Sequence, residues 1–146
     1  MKVPSQPRRP AAGVARRTFP TTPGNVEEIV SYVTGLAAEV GVPPEKVARL
    51  DLAIEEWATN VCSYAYRGGS GSVWVAVRRE GPTLVVELTD EGTPFDPTAA
   101  AEPDVSVPLR ERSPGGLGLL LMRRMVDELS YRRDGPRNVV TFAVLS

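Results

Sequence analysis

The fold of this 146-residue chain is decided by the stretch Glu55-Glu56-Trp57-Ala58-Thr59-Asn60. It lies in a segment, from about Glu45 to Tyr66, whose apolar residues recur at helical spacing. Glu56 and Asn60 are four residues apart, so both side chains project from one face of the predicted helix about one turn apart. A carboxylate can accept a proton, and an Asn oxygen is a hard ligand suited to Mg²⁺. On its own, this pair is more typical of a solvated helix face.

A second polar motif closes a predicted strand. Asp90-Glu91-Gly92-Thr93 follows a run in which Leu84, Val86 and Leu88 alternate with other residues as the inward face of a strand. A carboxylate in this position can accept a hydrogen bond from an exocyclic amine, and a glycine allows a flat base to approach the backbone closely. The competing interpretation is an ordinary strand-ending turn, because Asp and Gly dominate turns.

The third motif, Gly115-Gly116-Leu117-Gly118, opens a predicted helix. Glycines bring backbone N–H groups close to a ligand and a helix N-terminus favours anions, so the motif predicts a phosphate cradle. A flexible hinge would have the same composition. No Lys-Ser/Thr pair follows, which excludes a Walker loop, and the Pro-rich segment before it excludes a Rossmann fingerprint. The order of the three motifs along one chain is much harder to attribute to chance than any single motif.

The rest of the chain predicts a single domain built in two layers. Helical spacing covers 25–40, 45–66 and 116–129, and strands are expected at 15–19, 73–77, 84–88, 130–133 and 138–145. This order fits an α/β two-layer sandwich, in which three helices cover one face of a mostly antiparallel mixed sheet. Residues 91–116 contain five prolines, and such a long segment without regular structure is typical of a lid, which we place at about 97–116.

Composition limits the classes of function. The chain has no histidine, which excludes histidine-based catalysis, histidine metal ligands and a Ser-His-Asp triad. Seventeen basic residues against 18 acidic ones give no argument for a nucleic acid or membrane partner. Residues 1–15 are expected to form a flexible basic tail, or a contact for an acidic partner, ahead of a domain at 16–146. With one cysteine, Cys62, a cytoplasmic location is expected.

The three motifs together resemble the GHKL ATPase superfamily with its Bergerat fold, and most closely its anti-sigma-factor serine/threonine kinases. The resemblance covers about residues 18–145 and is carried by EEWATNVCSYAY, LTDEGTPFDP and RERSPGGLGLLLMRRMVDELSY. It implies that ATP and Mg²⁺ bind. The roles that it implies are a general base at Glu56, a Mg²⁺ ligand at Asn60, adenine contacts at Asp90, Gly92 and Thr141, and phosphate contacts at Arg112, Gly116 and Gly118. Tyr64 stands where many relatives carry histidine.

The resemblance also implies a function and partners. Such kinases hold a sigma factor inactive and phosphorylate a serine on an anti-sigma antagonist of STAS fold, and they tend to form homodimers. Both Glu56 and Asn60 are present, so a kinase is expected. Two alternatives stay open: a non-catalytic module whose affinity for a regulatory partner responds to ATP, and a structural domain in which the motifs are coincidental. A histidine-kinase polypeptide is excluded, because this chain has no phosphoacceptor histidine, and a detached catalytic domain that acts on a partner stays open.

Overall fold

A computed structural model describes residues 14–66, 69–99 and 116–145 of the chain. Most of the predicted tail at 1–15, most of the predicted lid at 97–116, and Arg112 lie outside the described residues. The tail, the lid and the role of Arg112 therefore stay predictions. The described elements are the strands β1 (Ala15–Pro20), β2 (Ser72–Glu80), β3 (Thr83–Asp90), β4 (Glu128–Asp134) and β5 (Arg137–Leu145) and the helices α1 (Val26–Glu39), α2 (Pro44–Asn60) and α3 (Gly116–Met125).

The five described strands form one sheet in the order β1-β2-β3-β5-β4, and each of the four pairings is antiparallel. Two tight hairpins, β2–β3 and β4–β5, turn on the dipeptides Gly81-Pro82 and Gly135-Pro136. Gly81 and Gly135 have φ angles of 61° and 60°, which a side chain would disfavour and which match the twist of paired strands. The turn chemistry of the sequence therefore fixes the register of both hairpins.

All three helices pack on one face of the sheet. Alternate strand residues point toward them and join the buried core, among them Val73, Val75, Leu88, Val140 and Phe142. Helix α2 contacts both α1 and α3, and its apolar stripe of Leu50, Ile54 and Trp57 is buried. The predicted two-layer α/β sandwich is confirmed.

Helix α2 begins at Pro44, where the missing N–H of proline costs no helical hydrogen bond. The α-helix ends at Asn60, and Val61–Ala65 continue it as a single π-helical turn. Such wider turns carry an extra residue and are frequent at functional sites. The carbonyl of Ala65 at the end of this turn accepts a hydrogen bond of 2.8 Å from the Thr93 N–H, so the turn is tied to the loop after β3.

The third helix is shorter than the sequence predicts. Helix α3 ends at Met125 rather than at Leu129, because Leu129 already belongs to β4 and pairs with Phe142 of β5. The Asp127 N–H donates to the Ala143 carbonyl at 2.9 Å and starts the ladder. In the described parts of the chain, no helix has the length and apolar character needed to cross a membrane.

Candidate functional site

A cavity of about 680 Å³ opens between the C-terminal half of α2, the end of β3, the start of β5 and the first turns of α3. Three of the predicted site residues, Glu56, Asn60 and Asp90, line it together. The other lining residues come from α2 and its π turn, from the loop after β3, and from α3 and β5: Trp57, Thr59, Val61, Tyr64, Ala65, Thr93, Pro94, Phe95, Leu119 and Asn138. Residues far apart in the sequence thus share one space.

The α2 side of the cavity carries Glu56 and Asn60, both half-buried. Among the described residues, neither side chain has a hydrogen-bond partner. Burial raises the pKa of the Glu56 carboxyl, and the nearby negative charge of Glu55 raises the pKa further. A carboxylate held in this way is a stronger proton acceptor than one exposed to water, provided that the pH is high enough to keep it ionised.

The backbone of α3 comes close to Glu56. A Cβ atom placed on Gly118 would collide with the Glu56 carboxylate. The distance from this Cβ atom to Oε1 of Glu56 would be only 2.7 Å. Any other residue at 118 would therefore displace the end of this side chain. Gly116 is the first residue of α3, so both predicted glycines lie in the first turn, where backbone N–H groups have no partner inside the helix. The structure places this turn beside the predicted base.

The sheet side of the cavity is built around Asp90, whose exposed fraction is 1%. Its Oδ1 accepts hydrogen bonds from the Gly92 N–H at 2.8 Å and from the Asn138 Nδ2 at 2.9 Å. Within the part of the chain that the structure describes, Oδ2 has no protein donor. A buried carboxylate retains acceptor capacity that a ligand donor can use.

Gly92 is placed directly against the end of the π turn. An added Cβ would run into the backbone carbonyl of Ala65, and the neighbouring Thr93 N–H donates to the same carbonyl oxygen. Because backbone atoms cannot move aside as a side chain can, only glycine fits here. A contact inside the protein thus accounts for the glycine at this position, and the predicted approach of a base to Gly92 stays a prediction.

The Thr141 prediction is wrong. Strand β5 points Asn138, Val140, Phe142 and Val144 toward the helices, and all four are buried. Thr141 has the opposite parity and pairs with Glu87 of β3, so its side chain lies on the face of the sheet away from the cavity. The β5 residue at the cavity is Asn138, whose exposed fraction is 2%. Sequence reasoning missed it, although its parity with Val140 and Phe142 was a usable signal.

Aromatic residues form an apolar wall that sequence reasoning did not assign to the site. The rings of Trp57 and Phe95 stack with centroids 6.1 Å apart and planes 15° apart. Trp57 is 3% exposed and its buried Nε1 has no hydrogen-bond partner among the described residues, whereas Phe95 is 45% exposed. Tyr64 also lines the cavity and is 71% exposed. The wall combines flat apolar surface with one unused buried donor.

The sequence was compared with known protein families, and the family described as "Histidine kinase-like ATPase domain" matches residues 19–144. The chain belongs to this family. The matched residues run from the end of β1 into β5, so they include every residue that lines the cavity. The ATPase resemblance seen in the three sequence motifs is confirmed.

Named relatives within the family are protein kinases. Serine/threonine-protein kinase BtrW of Bordetella bronchiseptica is 35% identical over 88 residues, which cover 59% of this chain and 62% of BtrW. Serine-protein kinase RsbW of Halalkalibacterium halodurans is 29% identical over 106 residues, which cover 70% of this chain and 65% of that protein. The chain therefore spans slightly less than two thirds of the length of each relative.

Solved structures give the same fold. The crystal structure of the RsbU and RsbW domains of a Mycobacterium tuberculosis protein matches 90% of this chain and 32% of that chain, with a TM-score of 0.63 and 17% sequence identity. At this identity the likeness concerns the fold alone. It agrees with the sandwich of three helices on an antiparallel sheet described above.

Proposed function

We propose that this protein is an ATP-dependent serine/threonine-protein kinase that regulates a sigma factor by partner switching. Its substrate would be a serine on an anti-sigma antagonist of STAS fold. The observation that carries the proposal is the single cavity that Glu56, Asn60 and Asp90 line together. Membership of an ATPase family and the similarity to serine kinases support the same chemistry.

A purine fits the sheet side of the cavity. Gly92 and Asn138 donate to Oδ1 of the buried Asp90 carboxylate. Its other oxygen, Oδ2, is therefore the acceptor offered to the exocyclic amino group of adenine. Thr93, Pro94 and Phe95 supply surface beside it, and a flat base gains from apolar and aromatic contact.

The triphosphate would lie on the α2 and α3 side. Asn60 would hold Mg²⁺ together with phosphate oxygens and water, and the backbone N–H groups around Gly116 and Gly118 would face the phosphates. Bound in this place, Mg²⁺ would neutralise charge on the transferred phosphoryl group. The phosphate contact of Arg112 and the lid at about 97–116 remain predictions from sequence.

Glu56 would act as the general base. The attacking serine hydroxyl loses its proton to the Glu56 carboxylate as its oxygen bonds to the γ-phosphorus, and the bond from that phosphorus to the β–γ bridging oxygen breaks to release ADP. The raised pKa of Glu56 favours this role. Gly118 leaves room for this carboxylate on the α3 side, where a larger residue would collide with it.

The proposed partners are proteins. A sigma factor and a STAS-type antagonist are expected from the family resemblance, and so is a homodimer. The cytoplasm, where sigma factors work, is the proposed location. Neither a nucleic acid nor a membrane is proposed as a direct partner.

Incubation of the purified chain with γ-labelled ATP, Mg²⁺ and candidate STAS-domain proteins tests the proposal. We expect label on one serine of the correct antagonist, located by phosphosite mapping, and none when that serine is replaced by alanine. Asn60→Ala should weaken the Mg²⁺-dependent part of ATP binding. An ATP analogue that leaves the melting temperature unchanged in Mg²⁺ would reject nucleotide binding. Binding without transfer to any antagonist would instead support the non-catalytic, ATP-responsive module.

A further inference from the structure

Asn138 is the most highly connected buried side chain at the cavity. Its Oδ1 accepts from the Tyr131 hydroxyl at 2.7 Å, the Arg133 Nη1 at 3.1 Å and the Phe95 N–H at 3.4 Å. Its Nδ2 donates to the Asp90 Oδ1 at 2.9 Å, the Thr93 carbonyl at 3.1 Å and the Gly92 carbonyl at 3.4 Å. One amide thus joins β3, β4, β5 and the loop after β3.

Only one orientation of this amide satisfies its surroundings. The Phe95 N–H and the Arg133 guanidinium can only donate, so the atom that faces them must be the oxygen. The Asp90 carboxylate and two backbone carbonyls face the other end, where the NH₂ group is required. The direction of the hydrogen bond to Asp90 is therefore set partly from outside the cavity, since Tyr131 and Arg133 do not line it.

We propose that Asn138 is a positioning residue that makes the nucleotide site selective for a 6-amino purine. It holds Oδ1 of Asp90, together with the Gly92 N–H, and so leaves Oδ2 as an acceptor of fixed direction. A ligand amino group gains a hydrogen bond to that oxygen, whereas the carbonyl at the same position of guanine meets a repelling acceptor. The inference rests on the proposed function, since it concerns the same site.

The test compares dissociation constants for ATP and for purine riboside triphosphate, which lacks the 6-amino group, at pH 8. Wild type should prefer ATP by about tenfold or more, as expected for a hydrogen bond to a charged group. Asn138→Asp keeps the oxygen that Tyr131 and Arg133 require but sets a second carboxylate against Asp90. This variant should bind ATP about tenfold more weakly than wild type and the analogue less than about twofold more weakly, so the preference for ATP disappears.

Two further variants keep the test decisive. Tyr131→Phe removes one donor to Asn138 from outside the cavity, and should reduce the ATP preference about twofold if Asn138→Asp does not fold. Thr141→Val on the same strand faces away from the cavity and should keep the full preference. Equal weakening of both nucleotides in the Asn138 and Tyr131 variants would overturn the inference, because it indicates a merely structural role. A wild type that binds neither nucleotide would instead reject the proposed function.

Discussion

The two sides of the cavity differ in how many hydrogen bonds the protein makes to their polar side chains. On the sheet side, Asp90 and Asn138 are almost fully buried, and hydrogen bonds to described residues hold Oδ1 of Asp90 and both ends of the Asn138 amide. On the helix side, Glu56 and Asn60 are half-buried and have no side-chain hydrogen bond to a described residue. We call the sheet side, with Asp90 and Asn138, the rigid wall, and the helix side, with Glu56 and Asn60, the adjustable wall.

This difference suggests a division of labour. Hydrogen-bonded groups in a buried network keep their direction before a ligand arrives, so they suit recognition of a flat base. Groups that must meet a metal ion, phosphates and a second protein benefit from freedom to adjust.

Glu56→Gln tests the helix side. The amide cannot accept the serine proton, so the rate of phosphoryl transfer should fall by about 10²–10⁴-fold, the usual contribution of a general base. ATP affinity should change little, because the recognition groups of the sheet side remain. Single-turnover transfer and equilibrium binding measure the two quantities separately. A variant that retains the wild-type transfer rate would remove Glu56 from the mechanism.

Gly92→Ala tests the rigid wall. The new Cβ meets the Ala65 backbone carbonyl, which cannot rotate away, so unfolding should become easier by about 1–3 kcal/mol. Chemical denaturation measures this change. Gly24→Ala is the matched control, since an added Cβ there meets nothing within 4 Å. Equal stability of the two variants would show that the loop after β3 is less constrained than the contact indicates.

Gly118→Ala tests the adjustable wall with the same substitution. Here the Cβ meets the flexible end of Glu56, and alanine favours a helix by up to about 1 kcal/mol over glycine. The melting temperature should therefore not fall, while transfer slows severalfold because the carboxylate is displaced. Gly35→Ala in α1, where a Cβ has open space, is the control. It should be as stable as Gly118→Ala and should transfer the phosphoryl group at the wild-type rate. A loss of stability in Gly118→Ala alone would contradict the contrast.

Glu55→Gln should have the smallest effect, on pH dependence. The transfer rate should fall as the pH decreases through the raised pKa of Glu56, because only the ionised carboxylate accepts a proton. Glu55 is the second cause of that rise, after burial, so its neutralisation should move the acidic limb to lower pH without restoring an ordinary pKa. A pH–rate profile, with Glu27→Gln on α1 as control, checks the direction of the shift. An acidic limb that moves to higher pH in Glu55→Gln would reject Glu56 as the group whose ionisation sets this limb.

Particular residues show why the sequence predicted the fold well and its details less well. The Gly-Pro turns and the alternating valines are local signals, and they located both hairpins. Leu129 fits a helix after Val126 and equally a strand with Tyr131, and only its pairing with Phe142 decides between the two. Local periodicity alone therefore placed the end of α3 four residues too late.

The site followed the same rule. Glu56, Asn60 and Asp90 belong to local motifs and were predicted together. Asn138 was placed in the last predicted strand but was not assigned to the site, because its role depends on donors from β4 and the loop after β3. Thr141 was chosen by residue type rather than by strand parity. The stacking of Trp57 on Phe95 joins two distant elements, and no spacing rule predicts it.

The π turn at Val61–Ala65 has a consequence for how the chain could evolve. Its one extra residue brings the Ala65 carbonyl to the Thr93 amide. The hydrogen bond between them links the helix that bears Glu56 to the loop that follows Asp90. Deletion of a residue from this turn would rotate everything after it by about 100° around the helix axis. A lineage that shortened this segment would therefore separate the Glu56 side of the cavity from the Asp90 side.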